Sequence, residues 1–216
     1  MGSIMMHVYI SEQIEKKYNF SDKFLVGSVL PDIYKRTIMS RDESHYIERK
    51  VENGYVYQLP NLKKYVEDHK DTILHDDVTL GYFAHLVEDY VWFKYVSGAF
   101  TKVRENEEKY DLVRYKSENY EIPHAGDEYV EEIYKDYSNM NEWLHEKSKV
   151  DIEHLIQMIR EHTRDERAID FIKHYSDGNA NYKERQNVFL TEEIVERYIK
   201  ASIEMFDLNY NKLKNS

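Results

Sequence analysis

The chain contains no cysteine and only 3 proline and 7 glycine residues among 216 positions. The lack of cysteine excludes disulfide bonds and thiolate metal sites. The scarcity of helix-breaking residues favours helices, and the length suits a single domain covering residues 1–216. The apolar run Phe24–Leu30 is far too short to cross a bilayer. The start, MGSIMMHVYI, lacks the basic and apolar regions of a signal peptide, so we expect a cytoplasmic protein.

Positive charge is also in deficit. The chain has 30 lysine and arginine residues against 41 aspartate and glutamate residues, which gives a formal net charge of −11. This balance disfavours a nucleic-acid duplex or an anionic membrane surface as the main partner, because both repel a negatively charged protein. The sequence also lacks a glycine-rich phosphate loop and a Gly-x-Ser-x-Gly motif. Nothing in the sequence indicates an oligomeric state.

The most informative stretch is Thr79–Tyr95, TLGYFAHLVEDYVWFKY. It is apolar on nearly every side, which predicts a long helix buried at the centre of the protein. His85 and Asp89 are four residues apart and share one face of that helix, and Gly81 leaves room on the same face for another backbone or a ligand. A buried aspartate needs a compensating charge or hydrogen-bond donors. Either a metal ion or a simple Asp–His hydrogen bond meets that need.

The remaining periodicity predicts an all-α, single-domain bundle of roughly eight helices around the central one, without strands. The other predicted helices cover Met5–Ile14, Lys23–Leu30, Asn61–His69, Glu128–His145, Val150–Glu161, Ile169–Tyr175, and the stretch from an N-cap at Thr191 to about Leu213. Pro31 is expected to end or bend the second of these, and Pro60 to occupy the first turn of the third. The predicted irregular segments are a solvated loop at Lys35–Arg41, a solvated helix and loop at Lys102–Glu118, and a turn at Pro123–Asp127.

Several polar motifs occur in a specific order: His7, then Gly27–Asp32 (GSVLPD), then Ser44-His45, then Leu80–His85 (LGYFAH) and Asp89. This order resembles the zinc-dependent phospholipase C family, which shares its all-helical fold with the P1-type nucleases. The resemblance covers residues 1–96, and a weaker similarity lies in Ile133–Tyr137. It implies a phospholipase C / P1 nuclease-like fold and a metal-dependent hydrolase of phosphoesters.

Carried over by position, the resemblance implies a metal centre with five ligands: His7, Asp32, His45, His85 and Asp89. Asp89 would bridge two ions, and His7 would help to hold the second. Asp32 would also orient the attacking water or take its proton, which makes it the candidate catalytic residue. This ligand set suits Zn2+ and is compatible with Mn2+ or Fe. Two ions about 3.5–4 Å apart activate water for attack on phosphorus. The implied substrate is a small phosphoester or a phospholipid headgroup.

The chain departs from the family at the third metal site. Ser97–Asn119 contains no histidine, and the His162/Glu166 pair lies far downstream without a third ligand. We therefore expect two ions, or one tight and one loose, rather than three. The histidines predicted to be surface or packing residues are His124, His145, His154, His162 and His174.

Two alternatives remain open. The first is an HD-type phosphohydrolase that uses His45, the His75-Asp76 dipeptide and a later aspartate. The second is a non-catalytic helical protein in which the same residues form a structural metal site or an Asp–His network.

Overall fold

The computed structural model describes residues 2–105, 110–112, 127–168 and 186–215. The helices are α1 Ile4–Tyr18, α2 Lys23–Thr37, α3 Arg41–Ser44, α4 Leu62–Asp68, α5 Asp77–Val91, a π-helical segment Trp92–Ser97, α6 Gly98–Phe100, α7 Asp127–Lys147, α8 Ile152–Thr163 and α9 Glu192–Lys214. The strands are β1 Ile47–Glu52, β2 Tyr55–Pro60, β3 Thr101–Arg104 and β4 Tyr110–Leu112.

The predicted central helix corresponds to α5 and the π-helical segment that follows it. The Asp76 carboxylate caps α5 by accepting a hydrogen bond from the Thr79 backbone N–H over 2.9 Å. Helices α1, α2, α4 and α9 contact α5, and its residues from Leu80 to Asp89 are buried. The prediction of a mostly helical protein around a buried central helix is therefore confirmed. Among the helices in the described part of the chain, none combines the length and the apolarity needed to cross a bilayer.

Helices α2 and α5 cross in unusually close contact, and a glycine on each helix permits it. A Cβ atom on Gly81 would lie 2.0 Å from the Phe24 carbonyl oxygen, and one on Gly27 would lie 2.0 Å from the Val78 carbonyl oxygen. Both distances are far below van der Waals contact. The room at Gly81 is therefore filled by the backbone of α2, which is one of the two occupants that the sequence suggested.

Helix α2 continues through Pro31 to Thr37. The prediction that this helix could end at Leu30 is therefore wrong. The segment Lys35–Arg41, predicted as a solvated loop, instead contains the last turn of α2 and the start of α3. Proline lacks an N–H and opposes an interior helical position, but Pro31 lies in a stretch of α2 that is buried from Phe24 to Ile33. Burial against α5 outweighs this local preference.

The prediction of an absence of strands is also wrong, because the structure contains a four-stranded antiparallel sheet in the order β1-β2-β3-β4. Asn53 and Gly54 join β1 to β2 with φ values of 55° and 77°, the conformation that favours Asn-Gly in tight hairpins. Pro60 ends β2 instead of opening a helix, and Asn61 caps α4. Strands β3 and β4 replace part of the helix and loop predicted over Lys102–Glu118.

The C-terminal helices agree with the sequence pattern. Helix α7 matches the prediction over Glu128–His145, and α8 matches Val150–Glu161. The Thr191 side chain caps α9 by accepting from the Ile194 backbone N–H. The helix predicted over Ile169–Tyr175 lies outside the described residues, as does most of the turn at Pro123–Asp127.

Substitution of Gly81 by alanine should separate α2 from α5. Because the new methyl group would meet a backbone carbonyl, which cannot rotate away, we expect the free energy of unfolding to fall by about 3 kcal/mol or more. Chemical denaturation measures this loss. Leu208→Ala is the control, since Leu208 is 58% exposed on α9 and should change stability by about 0.5 kcal/mol or less. Equal stability of Gly81→Ala and the parent would contradict the close crossing.

Candidate metal centre

The structure brings all five predicted ligands into one buried cluster. His7 comes from α1, Asp32 from α2, His45 from the residue that ends α3, and His85 and Asp89 from α5. Asp32 is 2% exposed and the other four are 0% exposed. Three segments distant in sequence therefore meet at the face of α5 that carries the His85/Asp89 pair.

The Asp89 carboxylate lies at the middle of the cluster. Its Oδ1 is 3.6 Å from His7 Nε2, and its Oδ2 is 3.7 Å from His45 Nε2 and 3.8 Å from His85 Nε2. His45 Nε2 also lies 3.3 Å from Asp32 Oδ1. Two triads have ligand atoms within 4.8 Å of one another: His7, Asp32 and His85, and His45, His85 and Asp89. His85 belongs to both.

A hydrogen bond at Nδ1 fixes the orientation of the His85 ring. Its Nδ1 lies 2.7 Å from the Ser28 carbonyl oxygen, and because a carbonyl only accepts, Nδ1 must carry the proton. Burial is the largest influence on the pKa of His85 and helps to hold it well below 6.5, so the ring is neutral. Its Nε2 therefore presents a lone pair to Asp89. His45 is supported in a similar position by the Ser44 hydroxyl, which lies 2.8 Å from its Nδ1.

His7 has a carboxylate behind it. Its Nδ1 lies 2.6 Å from Glu88 Oε2, and the Ser11 hydroxyl donates to Glu88 Oε1 over 3.2 Å. Burial alone would lower the pKa of His7, but the hydrogen bond and negative charge of Glu88 outweigh it, with Asp89 and Asp32 adding to the effect, and the pKa is raised. Burial also raises the pKa of Glu88 to about 7. The pair therefore retains a proton more strongly than an exposed imidazole does.

The carboxylates of the cluster stay ionised despite burial. Burial raises the pKa of Asp89, but the positively charged groups near it outweigh this effect and lower the pKa to about 2. For Asp32, burial is again the largest single influence and raises the pKa, but the charge of Lys35 and the hydrogen bond with His45 outweigh it and hold the pKa well below 3.8. Lys35 Nζ forms an ion pair with Asp32 Oδ1.

Four polar atoms of the cluster have no hydrogen-bond partner within the described part of the chain. They are Nε2 of His7, Nε2 of His85 and both carboxylate oxygens of Asp89. Leaving such a group buried and unsatisfied costs about 1–3 kcal/mol, and more when the group is charged. A cation placed between these atoms would satisfy all of them at once.

The cluster fits a transition-metal ion in both chemistry and spacing. Imidazole nitrogen and carboxylate oxygen are ordinary ligands of Zn2+ and are also used by Mn2+ and Fe. Tetrahedral coordination with bonds of about 2.0–2.1 Å separates ligand atoms by about 3.3 Å. The separations given above, between 3.3 and 3.8 Å, are close to that value. Within each of the two triads the ligand atoms lie no more than 4.8 Å apart, so a small inward shift of the side chains would bring the members of a triad onto one ion.

Two members of the site were not recognised in the sequence. The apolar pattern of the central helix assigns no role to Glu88, although it lies three residues after His85 and so is near it on the helix surface. The sequence predicts Lys35 in a solvated loop, because Pro31 is expected to end or bend the preceding helix. Its position three residues after Asp32 becomes informative once α2 is known to continue.

The other predicted histidines lie away from the cluster. His145, His154 and His162 are exposed, as predicted, and so is Glu166. His124 and His174 lie outside the described residues. His75 and Asp76, required by the HD-type alternative, are exposed at the start of α5, and Asp76 serves as its N-cap. Among the described residues, neither belongs to a candidate metal-binding group.

No protein-family model matches the sequence, and neither curated proteins nor solved structures give a match to it. The chemistry of the cluster therefore has to be judged from its own geometry.

The raised pKa of His7 predicts how metal binding depends on pH. A metal ion binds the neutral imidazole, so below that pKa it must displace a proton. Because the pKa lies above 6.5, the apparent affinity for Zn2+ should fall by up to about tenfold for each pH unit below it. Calorimetric titration with Zn2+ over a pH series measures this slope, and an affinity equal on both sides of neutrality would contradict it.

In the metal-free protein, the stability of the fold should depend on pH in the opposite sense to the Zn2+ affinity, falling as the pH rises. A raised folded-state pKa stabilises the fold fully below the unfolded pKa of about 6.5 and loses that contribution as pH rises through the folded value. Thermal unfolding of the metal-free protein in the same buffers therefore serves as the internal control for the calorimetric series.

Proposed function

We propose that this protein is a metal-dependent phosphoester hydrolase whose metal ligands are His7, Asp32, His45, His85 and Asp89. The observation that carries the proposal is a group of buried atoms that have no hydrogen-bond partner among the described residues, namely Nε2 of His7 and His85 and both oxygens of Asp89, with each imidazole nitrogen 3.6–3.8 Å from an Asp89 oxygen. The motif order that resembles the zinc-dependent phospholipase C family supports the same residues independently. Zn2+ is the proposed ion, in one or two copies.

In this proposal, some side chains hold the metal ions and Asp32 also orients the attacking water. His85 and His45 are fixed by hydrogen bonds at Nδ1, so their Nε2 atoms stay directed at Asp89. When bound, a pair of such ions supplies a nucleophile from water at neutral pH and stabilises the oxygens of a phosphoryl group. Asp32 is the least enclosed of the five ligands. That position suits the role of orienting the attacking water or taking its proton.

Lys35 marks the side from which an anionic substrate would approach. Its side chain is 8% exposed and pairs with Asp32, whose own side chain is 3% exposed. All three side chains are nearly enclosed, and their exposure rises only slightly from Asp89 through Asp32 to Lys35. A cation on that side attracts a phosphoester locally, against the repulsion expected from the net charge of −11. The proposed substrate is a small phosphoester or a phospholipid headgroup.

A structural metal site is the second candidate, and burial favours it. Four of the five ligands are completely enclosed, and closed coordination is typical of structural zinc sites, whereas catalytic sites keep a position open to substrate. In that case the ion would hold α1, α2, α3 and α5 together and would perform no reaction.

One experiment separates these readings. The protein is purified, its metal content is measured by mass spectrometry, and the hydrolysis of bis(p-nitrophenyl) phosphate is followed before and after chelation and readdition of Zn2+. A hydrolase retains one or two equivalents of metal and shows turnover that chelation removes and Zn2+ restores. Bound metal without turnover would support the structural site. A stable protein that takes up no metal would overturn both.

His85→Ala should remove metal and stability together. The substitution deletes one ligand and leaves the buried Asp89 charge poorly compensated, so we expect about 3–5 kcal/mol of lost stability and a bound-metal content near zero. Thermal unfolding and metal analysis measure the two effects. His162→Ala is the matched control, because His162 is exposed on α8 and should leave both quantities unchanged. Full metal content in His85→Ala would exclude the proposed centre.

A further inference from the structure

Glu88 is a buried carboxylate behind the candidate metal centre that is not one of the five proposed ligands. It is 0% exposed and lies next to Asp89 on α5. Its Oε2 is 2.6 Å from His7 Nδ1, and its Oε1 accepts a hydrogen bond from the Ser11 hydroxyl. Both oxygens are therefore directed at α1, away from the atoms that meet around Asp89.

The three imidazoles differ in the group that lies next to their Nδ1 atoms. His85 has the neutral Ser28 carbonyl at Nδ1, and His45 has the neutral Ser44 hydroxyl. Only His7, of these three, has an ionisable carboxylate at Nδ1. A carboxylate in this position fixes the tautomer of a metal-binding histidine and makes its other nitrogen a stronger ligand.

We propose that Glu88 is a positioning residue that holds His7 in the Nδ1–H tautomer and directs its Nε2 lone pair at the metal. In neutral imidazole only one nitrogen carries a proton, and the carboxylate of Glu88 claims that proton at Nδ1. Nε2, which is 3.6 Å from Asp89 Oδ1, is then free to bind a cation. The role of Glu88 towards the metal rests on the proposed metal centre, whereas its role towards the tautomer does not.

The surrounding contacts argue against a purely structural purpose for the Glu88 side chain. One contact of α9 with this part of α5 is made by the Glu88 backbone, whose carbonyl oxygen accepts from the Tyr198 hydroxyl over 3.3 Å. The described ion pair of the side chain is with His7, a proposed ligand. A buried charge is costly compared with an apolar side chain of similar size. The cost is explained if the charge improves His7 as a ligand.

The stacked contact between the His7 and His85 rings concerns the orientation in which the His7 ring has to be kept. Their centroids are 3.9 Å apart and their planes are inclined by 20°. Both rings have a partner at Nδ1, and both leave Nε2 without a hydrogen bond to any described residue. Rotation of the His7 ring by half a turn about its Cβ–Cγ bond would exchange the positions of Nδ1 and Cδ2 and those of Nε2 and Cε1. The bond to Glu88 opposes that rotation.

The test uses Glu88→Gln, which keeps the size of the side chain and removes its charge. In the metal-free protein, long-range 15N–1H NMR in alkaline buffer reports which nitrogen of His7 carries the proton. Competition with a chromophoric chelator reports the affinity for Zn2+. We expect the parent to show Nδ1–H, and the variant to lose that preference and to bind Zn2+ about 10–100-fold more weakly.

Glu12→Gln is the matched control. Glu12 is also a buried glutamate of this region, 2% exposed on α1, but it binds Ser148, Lys149 and Lys16 instead of a proposed ligand. The control should alter stability without changing the His7 tautomer or the Zn2+ affinity. An equal loss of affinity in both variants would reduce Glu88 to a structural residue and overturn the proposal.

Two further results would also overturn it. One is an Nε2–H tautomer of His7 in the parent protein, which can be observed even if Glu88→Gln does not fold. The other is a Glu88→Gln variant with parental tautomer and parental Zn2+ affinity. A parent that shows Nδ1–H but takes up no Zn2+ would refute the metal centre and with it the role of Glu88 as support for a ligand, while leaving Glu88 as the group that sets the tautomer.

Discussion

The close crossing of α2 and α5 is the constraint on which the rest of the site depends. Glycines on both helices bring the backbones together, and the Ser28 carbonyl then comes within 2.7 Å of His85 Nδ1. Asp32 lies four residues after Ser28, and Asp89 lies four residues after His85, so each pair occupies one face of its helix. A single backbone contact therefore sets both the direction of the His85 ring and the approach of Asp32 to the cluster.

The crossing also explains why the cluster can be both buried and unsatisfied. Main-chain atoms and outer side chains hold the histidines by Nδ1, so the inner Nε2 atoms cannot turn away to find other partners. Asp89 is in the same situation, because it is 0% exposed and its oxygens lie 3.6–3.8 Å from the three histidines. Buried polar groups are normally hydrogen-bonded. The proposed metal centre would supply the missing partner, because a cation could bind these atoms together.

The five side chains of the buried cluster could be selected from the sequence, and much of their surroundings could not. The one-turn spacing of His85 and Asp89 on an apolar helix is a local signal, and the order of the other motifs supplied His7, Asp32 and His45. The continuation of α2 through Pro31 depends on burial against α5, which no local pattern contains, and Lys35 was missed with it. The β1–β2 hairpin, in contrast, has a local signal in the sequence, because Asn53-Gly54 between Val51 and Tyr55 is a recognisable turn signal. Glu88 was hidden because its partner Ser11 is 77 residues away.

Burial is the property that relates the structure of the centre to its chemistry. Full enclosure strengthens every electrostatic interaction among the ligands, because the effective dielectric constant is low. The same enclosure excludes a substrate unless one side of the cluster opens. The side with Asp32 and Lys35 is slightly more exposed than Asp89, and there a cation and a carboxylate already form an ion pair. An arriving phosphoester would compete with Asp32 for that cation, so substrate entry and the position of Asp32 would be linked. A purely structural ion would not require Lys35 to move, so the proposed hydrolase, unlike a structural site, requires the Asp32–Lys35 pair to open.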